Sequence, residues 1–192
     1  MSQNLKKNVK LPPQALDFEE AVLGAILIDK NAMAEVGDML TPEVFYKDAH
    51  KEIFKATETL FQNAEPIDVM TVKNQLQQNK KLKVCGGAHY LAELTNKVIS
   101  SANIEYHCRI IVQKHIQREL ISTCSEIIQN SYDESTDAIE LLDQVESKIF
   151  AISEGNIKKK YLNASKLIQN AIKEIERIGN LPSGLSGIPS GF

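Results

Sequence analysis

Gly86–Ile121, GGAHYLAELTNKVISSANIEYHCRIIVQKHIQRELI, is the stretch that decides how this chain is read. The glycine pair marks a turn, because glycine reaches backbone conformations that other residues avoid. Tyr90, Leu91 and Leu94 follow at helical spacing. A polar break comes next, with Ser100 placed to cap a second helix. The pattern then predicts one long helix over about residues 102–131. The stretch holds no nucleophile–base pair, no metal-ligand spacing and no phosphate loop. Order of this kind without chemistry points to a part built for assembly.

The rest of the chain is consistent with an all-α fold. Only nine glycines and six prolines occur in 192 residues, and no long run alternates as a strand would. Hydrophobic residues make up 43% and charged residues 24%, ordinary values for a globular protein. The length has room for one domain and an appendage. No apolar run approaches the ~18–20 residues of a membrane span. The start, MSQNLKKNVKLPPQ, has no apolar core of the kind a secretory signal carries. Cys85, Cys108 and Cys124 are scattered and odd in number, which fits a reducing cytoplasm better than a disulfide framework. Net charge is −3, whereas an autonomous nucleic-acid-binding domain carries a basic excess. Direct DNA binding is therefore expected to be weak.

Upstream of the opening stretch, residues 1–13 read as a disordered tail. Pro12-Pro13 leads into a first helix lined by Leu16, Val22, Leu23, Ile26 and Leu27 and running through Ile28. Gly24 in its interior costs roughly 1 kcal/mol against alanine, so a second backbone is expected to approach there. A short helix is expected over Ala32–Leu40. Thr41-Pro42 reads as a cap and first turn leading through Phe45 and Tyr46 into a helix with Ile53, Phe54, Leu60 and Phe61. Asp68 is placed to cap the next helix. Together these elements form a compact bundle over residues 14–100.

A helix of about 30 residues spans roughly 40–45 Å, longer than a small bundle is wide. Its distal half must project and find a partner. Ala138, Leu142, Val145, Ile149 and Ile152 step by four and three, an a/d seam. Ile121, Cys124 and Ile128 offer the facing seam. The short polar loop Asn130–Thr136 makes the two helices an antiparallel hairpin over residues 101–153. A break is expected at Glu154-Gly155-Asn156, then a lysine loop, then a linker helix to Ile178 within residues 154–180. That helix carries Ala164, Leu167, Ile168, Ala171, Ile172, Ile175 and Ile178 as an apolar stripe. The stripe could pack on its own bundle or on a neighbour, and spacing does not choose between them.

Catalytic and ligand-binding readings find little support. Gly184, Gly187 and Gly191 are not followed by Lys-Ser/Thr, so no phosphate cradle is complete. His107, Cys108 and His115 are two turns apart at the extremes, some 10 Å, too far for one zinc ion. His50 has no neighbouring nucleophile in sequence, which favours a structural, hydrogen-bonded histidine over a general base. The runs Lys80-Lys81/Lys83 and Lys158–Lys160 are short and read as solvated loops, since phosphate affinity grows with the number of charges acting together. The expected catalytic, cofactor and metal residues are therefore none.

The ordered set of motifs resembles one family. Gly86-Gly87, Tyr90-Leu91 and Leu94 are followed by Ser100, Ala102-Asn103-Ile104 and Tyr106, then Arg118-Glu119-Leu120-Ile121. Before them come Asp17, Glu19 and Val22-Leu23-Gly24, then Phe45-Tyr46, His50, Ile53-Phe54 and Leu60, then Pro66-Ile67-Asp68, Thr71 and Leu76. From about Leu11 onward the chain resembles the N-terminal domain and linker of the bacterial replicative DNA helicase, the DnaB family. Ile99 departs from it, standing where the family usually has proline. The resemblance implies that Gly187–Phe192 opens a RecA-like motor domain, with residues 181–192 as its truncated start. It implies a non-catalytic collar for ring assembly and primase recruitment, with ATP and Mg serving the ATP-driven 5′-to-3′ motor of the parent. It implies homo-oligomers, dimers building a hexamer, and a linker helix docked on the neighbouring subunit's motor domain through Leu167, Ile168, Ala171, Ile172, Ile175 and Ile178. A free-standing helical adaptor without a motor is the alternative.

Overall fold

The computed structural model describes residues 11–98, 101–133 and 135–157. The chain divides after Glu154 into two compact units. Of the second, only the helical backbone of residues 155–157 is described. Residues 1–10 of the expected disordered tail 1–13, the cap at Ser100, the lysine run 158–160, the linker helix with its six docking residues and the segment 181–192 lie outside the described residues. The last three of that tail, 11–13, are described, and Arg118 holds the Pro13 carbonyl at 3.0 Å.

The first unit is all-α. The described residues form seven helices: α1 (Leu16–Ile28), α2 (Ala32–Val36), α3 (Asp48–Gln62), α4 (Val69–Gln78), α5 (Gly87–Asn96), α6 (Ile104–Ser131) and α7 (Ala138–Ile157). Two 3₁₀ turns, Gly37–Met39 and Pro42–Val44, join α2 to α3.

Helix α1 is the axis of the bundle. Val22 through Leu27 are all buried, and a helix apolar on every side must be enclosed. It packs against α3, α5 and α6. A Cβ on Gly24 would lie 2.3 Å from the Leu94 carbonyl oxygen and 2.5 Å from Val98 Cγ2, so the backbones of α1 and α5 approach as expected. Around it lie Phe45, Phe54, Ile53, Leu60, Leu76 and Leu91, each almost wholly out of water. The Phe45 and Phe54 rings sit 5.1 Å apart.

The connections explain the helix ends. Asp68 caps α4 in a reciprocal box: its carboxylate accepts from the backbones of Met70 and Thr71, and Thr71 Oγ1 accepts from the Asp68 backbone. Gly86 takes φ +82°, a left-handed turn suited to glycine, and there a Cβ would meet the Tyr90 side chain at 2.9 Å.

Three expectations about helix ends are corrected. The helix expected over Ala32–Leu40 tightens into a 3₁₀ turn after Val36. Thr41-Pro42 opens only a 3₁₀ turn, Thr41 makes no side-chain cap, and Phe45 is extended. Helix α3 begins later, at Asp48. The reason is tertiary: the backbone N–H groups of Tyr46 and Lys47 donate to the buried Glu19 carboxylate at 2.7 and 3.5 Å, which holds the chain out of helix. The break expected at Glu154-Gly155-Asn156 is also absent, because α7 runs to Ile157. A single glycine costs a helix only about 1 kcal/mol and need not end it.

Helix α6 leaves the bundle part-way along its length. Ile104, Cys108 and Ile111 are its buried residues, all in its first third. Its 28 residues span about 42 Å.

Candidate protein-interaction surface

Helix α7 is capped by Asp137, whose carboxylate accepts from the backbones of Ile139 and Glu140 at 2.8 and 3.1 Å. It returns along α6, and Lys148 Nζ meets Glu126 Oε1 at 2.6 Å. Because the chain between them reverses, this pair fixes an antiparallel hairpin.

The half-buried residues of this region are Thr123, Ile127 and Asn130 on α6, and Leu141, Val145, Lys148 and Ile152 on α7. The seam expected from the sequence is thereby rotated. Val145 and Ile152 of the expected seam are half-buried, but Ile121, Ile128 and Leu142 are 53%, 57% and 62% exposed, and Ala138, Cys124 and Ile149 are exposed as well. On each helix the candidate stripes step alike, by three and four. The Glu126–Lys148 contact joins the half-buried Lys148 to α6, and periodicity alone does not reveal which stripe faces the other helix.

The displaced residues form a surface of their own. Ile121, Cys124, Ile128 and Tyr132 share one side of α6, and Ile139, Leu142, Ile149 and Phe150 share one side of α7. At about 100° per residue, each stripe lies roughly 120–140° clockwise of its inner seam, viewed along its own helix from the N-terminus. On antiparallel neighbours, equal rotations of the same sense point to the same side. The hairpin therefore presents one continuous apolar face built from both helices. Exposed contiguous apolar surface on this scale marks an interaction site.

Where α6 leaves the bundle, that face runs into a groove of about 650 Å³. Leu11, Pro12, Pro13, Tyr46, Arg118, Ile121 and Ser122 line it. Arg118 builds it. Its guanidinium donates to the carbonyls of Pro13 and Val44 at 3.0 and 2.7 Å and lies 5.5 Å from the Tyr46 ring centre. Burial lowers the Arg118 pKa from its ordinary value, yet a guanidinium stays charged in proteins.

Behind the groove the bundle holds a buried polar cluster. His50 and Glu19 are both excluded from water, and His50 Nδ1 lies 2.6 Å from Glu19 Oε2. His50 Nε2 is 2.7 Å from the Tyr90 hydroxyl. That hydroxyl donates to Glu20 Oε1 at 3.1 Å and accepts from Lys47 Nζ at 3.0 Å. Burial works to raise the Glu20 pKa, but hydrogen bonds from Lys97 and Tyr90 outweigh it and hold the carboxyl below the usual range. Burial first, then the Glu20 charge, pushes the Tyr90 phenol well above its ordinary value. Both His50 nitrogens are occupied, and the hydroxyl beside it, that of Tyr90, is itself held by Lys47 and Glu20. The cluster joins α1, α3 and α5. Of this cluster, sequence reading weighed only His50 as a chemical candidate, with Glu19 and Tyr90 entering as motif residues; Glu19 and Glu20 look like solvated carboxylates until α1 is known to be enclosed.

The other singled-out residues stay apart. Cys108 is buried, and desolvation pushes its thiol up to about 12. His107 packs edge-on against Phe18 with ring centres 5.3 Å apart, and His115 pairs with Glu119 at 3.6 Å. No group of three or more His, Cys, Asp or Glu that could hold a metal ion occurs among the described residues. No helix of the described residues is long and apolar enough to cross a membrane. Lys81 of the lysine run pairs with Glu52 at 3.2 Å.

Residues 11–113 match the family model described as the DnaB-like helicase N terminal domain. The chain belongs to this family. Among curated DnaB relatives, it is 39% identical over 183 residues to the replicative DNA helicase DnaB of Rhodothermus marinus, covering 95% of this chain and 19% of that one. It is 35% identical to the replicative DNA helicase DnaB of Geobacillus stearothermophilus, covering 95% of this chain and 40% of that one. The chain thus spans less than half the length of these relatives. The crystal structure of the N-terminal domain of DnaB helicase from Mycobacterium tuberculosis superposes with a TM-score of 0.70 at 33% identity, covering 74% of this chain and 99% of that domain. A DnaB-like replicative helicase, solved in a study of its interactions with primase, superposes with a TM-score of 0.65 at 25% identity, covering 93% of this chain and 38% of that one.

Proposed function

We propose that this DnaB-family chain is the non-catalytic collar of a hexameric replicative helicase, serving ring assembly and primase recruitment in the bacterial cytoplasm. The observation that carries the reading is the apolar face of the hairpin. Ile121, Ile128, Leu142 and Phe150 stand in water in the single chain, and burying each is worth roughly 1.5–3 kcal/mol. Two copies joined by the same face form an isologous dimer, and three such dimers make the hexamer of this reading. Similarity to a helicase solved together with questions of primase binding supports the same collar as the primase platform.

The chemistry of the parent, ATP-driven unwinding with Mg, belongs to a motor outside this chain. The sequence has no Gly-Lys-Ser/Thr phosphate loop, so the chain by itself binds no nucleotide. Its net charge of −3 neutralises few phosphates, so DNA affinity is weak and falls with salt. The linker stripe Leu167–Ile178 is read as the part that docks on the neighbouring motor domain.

Sedimentation velocity over a wide concentration range tests the collar reading. The chain is expected to reach twice its 21.4 kDa mass, and the variant Ile128→Lys/Leu142→Lys is expected to remain monomeric with unchanged helix content. A native chain that stays monomeric up to several hundred micromolar overturns hairpin pairing. Ile127 and Leu141 are unsuited to this test, since they pack inside the hairpin and lysine there would open it. Purified primase added to the dimer should bind; no binding by calorimetry removes the platform part of the reading.

A further inference from the structure

We infer that, in the paired state, Tyr132 of one copy seats in the groove of the other, against Leu11, Pro13, Tyr46, Arg118 and Ile121. The inference rests on the hairpin pairing proposed above and names its anchor and receptor.

Tyr132 is the most exposed large hydrophobic side chain among the described residues, at 85%. It contributes almost nothing to the fold of a single chain. Tyr132 is the C-cap of α6: its backbone is still helical and its N–H donates to the Gln129 carbonyl at 3.2 Å, so it extends the α6 stripe one residue past the end of the helix. Large aromatics on rigid supports are the residues that dominate interface energies.

The spacing of the stripe is self-complementary. Ile121 and Tyr132 are eleven residues apart, which is three turns, about 16 Å, with a residual rotation of only about 20°. A two-fold axis perpendicular to α6, passing beside it at the level midway between them, sets the second α6 antiparallel and exchanges the two positions. In an isologous interface, where residue i meets j and j meets i, Tyr132 of each copy then stands over Ile121 of the other. Ile121 is one of the residues that line the groove.

Direction agrees with position. Arg118 and the buried Ile111 mark the side of α6 that faces the bundle, clockwise of the stripe. Tyr132 is turned about 35° clockwise of the stripe's centre on its own helix. Across an antiparallel two-fold pairing, that turn leans the ring toward the partner's bundle, where the groove opens. A turn of opposite sense would have aimed it at the partner's α7.

The walls suit a tyrosine. Leu11 is 74% exposed and Pro13 lies beside it, giving an apolar rim for the ring. The Arg118 guanidinium already lies near the Tyr46 ring, and its plane can take a second aromatic, since guanidinium groups stack on aromatic faces. The phenol oxygen reaches the groove mouth and stays in water. The symmetry supplies two such anchors per dimer.

Two measurements on the full 192-residue chain test this. The first is a double-mutant cycle by sedimentation velocity with Tyr132→Ala, Leu11→Ala and the pair. Each single change is expected to weaken dimerisation about tenfold, the scale of an interface anchor. The double variant should be little weaker than Tyr132→Ala, because contacting residues are not additive. The second is cross-linking in a Cys124→Ser background, with a Leu11→Cys copy mixed with a Tyr132→Cys copy under mild oxidant. A disulfide-linked dimer of the two different copies is expected. If Ile128→Lys still dissolves the dimer while Tyr132→Ala leaves it at wild-type strength and no mixed disulfide forms, hairpin pairing stands and the anchor is wrong. If the native chain never dimerises, both fall together.

Discussion

His50 Nδ1 and Glu19 Oε2 lie 2.6 Å apart with both side chains closed off from water. The same Glu19 carboxylate holds the backbone N–H of Tyr46, so one buried group fixes both the α3 histidine and the chain entering α3. Breaking a buried pair by removing one partner costs about 3–5 kcal/mol, because the other is left without its bond. His50→Ala is expected to lower the unfolding free energy by that amount in urea denaturation. Glu19→Gln, which can still accept from Tyr46, should cost less. Equal and small losses would show that the pair is not needed.

Gly24 is expected to resist alanine. In an ordinary helix interior, Gly→Ala gains about 1 kcal/mol. Here the new Cβ would meet the Leu94 carbonyl oxygen at 2.3 Å, and backbone cannot rotate away as a side chain can. Overpacking of this kind costs typically about 1–3 kcal/mol. Thermal unfolding of Gly24→Ala should show a lower midpoint; a higher one would mean that α1 and α5 are not this close.

The Glu20–Lys97 contact sets a pH window. Glu20 has a lowered folded-state pKa, so its contribution is present above the ordinary value of 4.5 and is lost as pH falls through the folded value. Lys97 has a raised one, driven first by its hydrogen bond to Glu20, so its contribution is present below 10.5 and is lost as pH rises through the folded value. Glu20→Gln should therefore destabilise the chain between these limits and converge with the native protein in acid. A constant difference down to pH 2, followed by circular dichroism, would place the contribution elsewhere.

The three thiols should separate by reactivity. Cys85 and Cys108 are buried, with desolvation pushing them up to about 11 and about 12, whereas Cys124 is exposed on the hairpin face. Thiolate is the reactive form, so a chromogenic disulfide reagent at pH 8 should titrate one thiol in the native chain and three in denaturant. Cys124 should react more slowly as protein concentration rises and the face is covered. A rate independent of concentration would argue that this stretch of α6 stays in water.

Much of the architecture was legible in the residues themselves. Apolar periodicity, Asp68 with Thr71, and Gly86-Gly87 place α1, α4 and α5 because caps and turns act over three or four residues, within the reach of local sequence. Gly24 signalled a close backbone contact for the same reason: a helix tolerates that cost only where something returns it. Family membership was legible too, in the ordered spacing of many individually weak motifs. The tertiary structure alone decided the rest. Each of α6 and α7 carries more than one apolar stripe at helical spacing, and only the folded chain half-buries one and leaves the other exposed. Likewise Glu19, one of several acidic residues in a first turn, becomes the centre of a buried cluster only once α1 is enclosed, and its pull on Tyr46 and Lys47 delays α3 to Asp48. Periodicity reports which residues are apolar around a helix, but which side meets the core is set by contacts from residues 27 to 70 positions away.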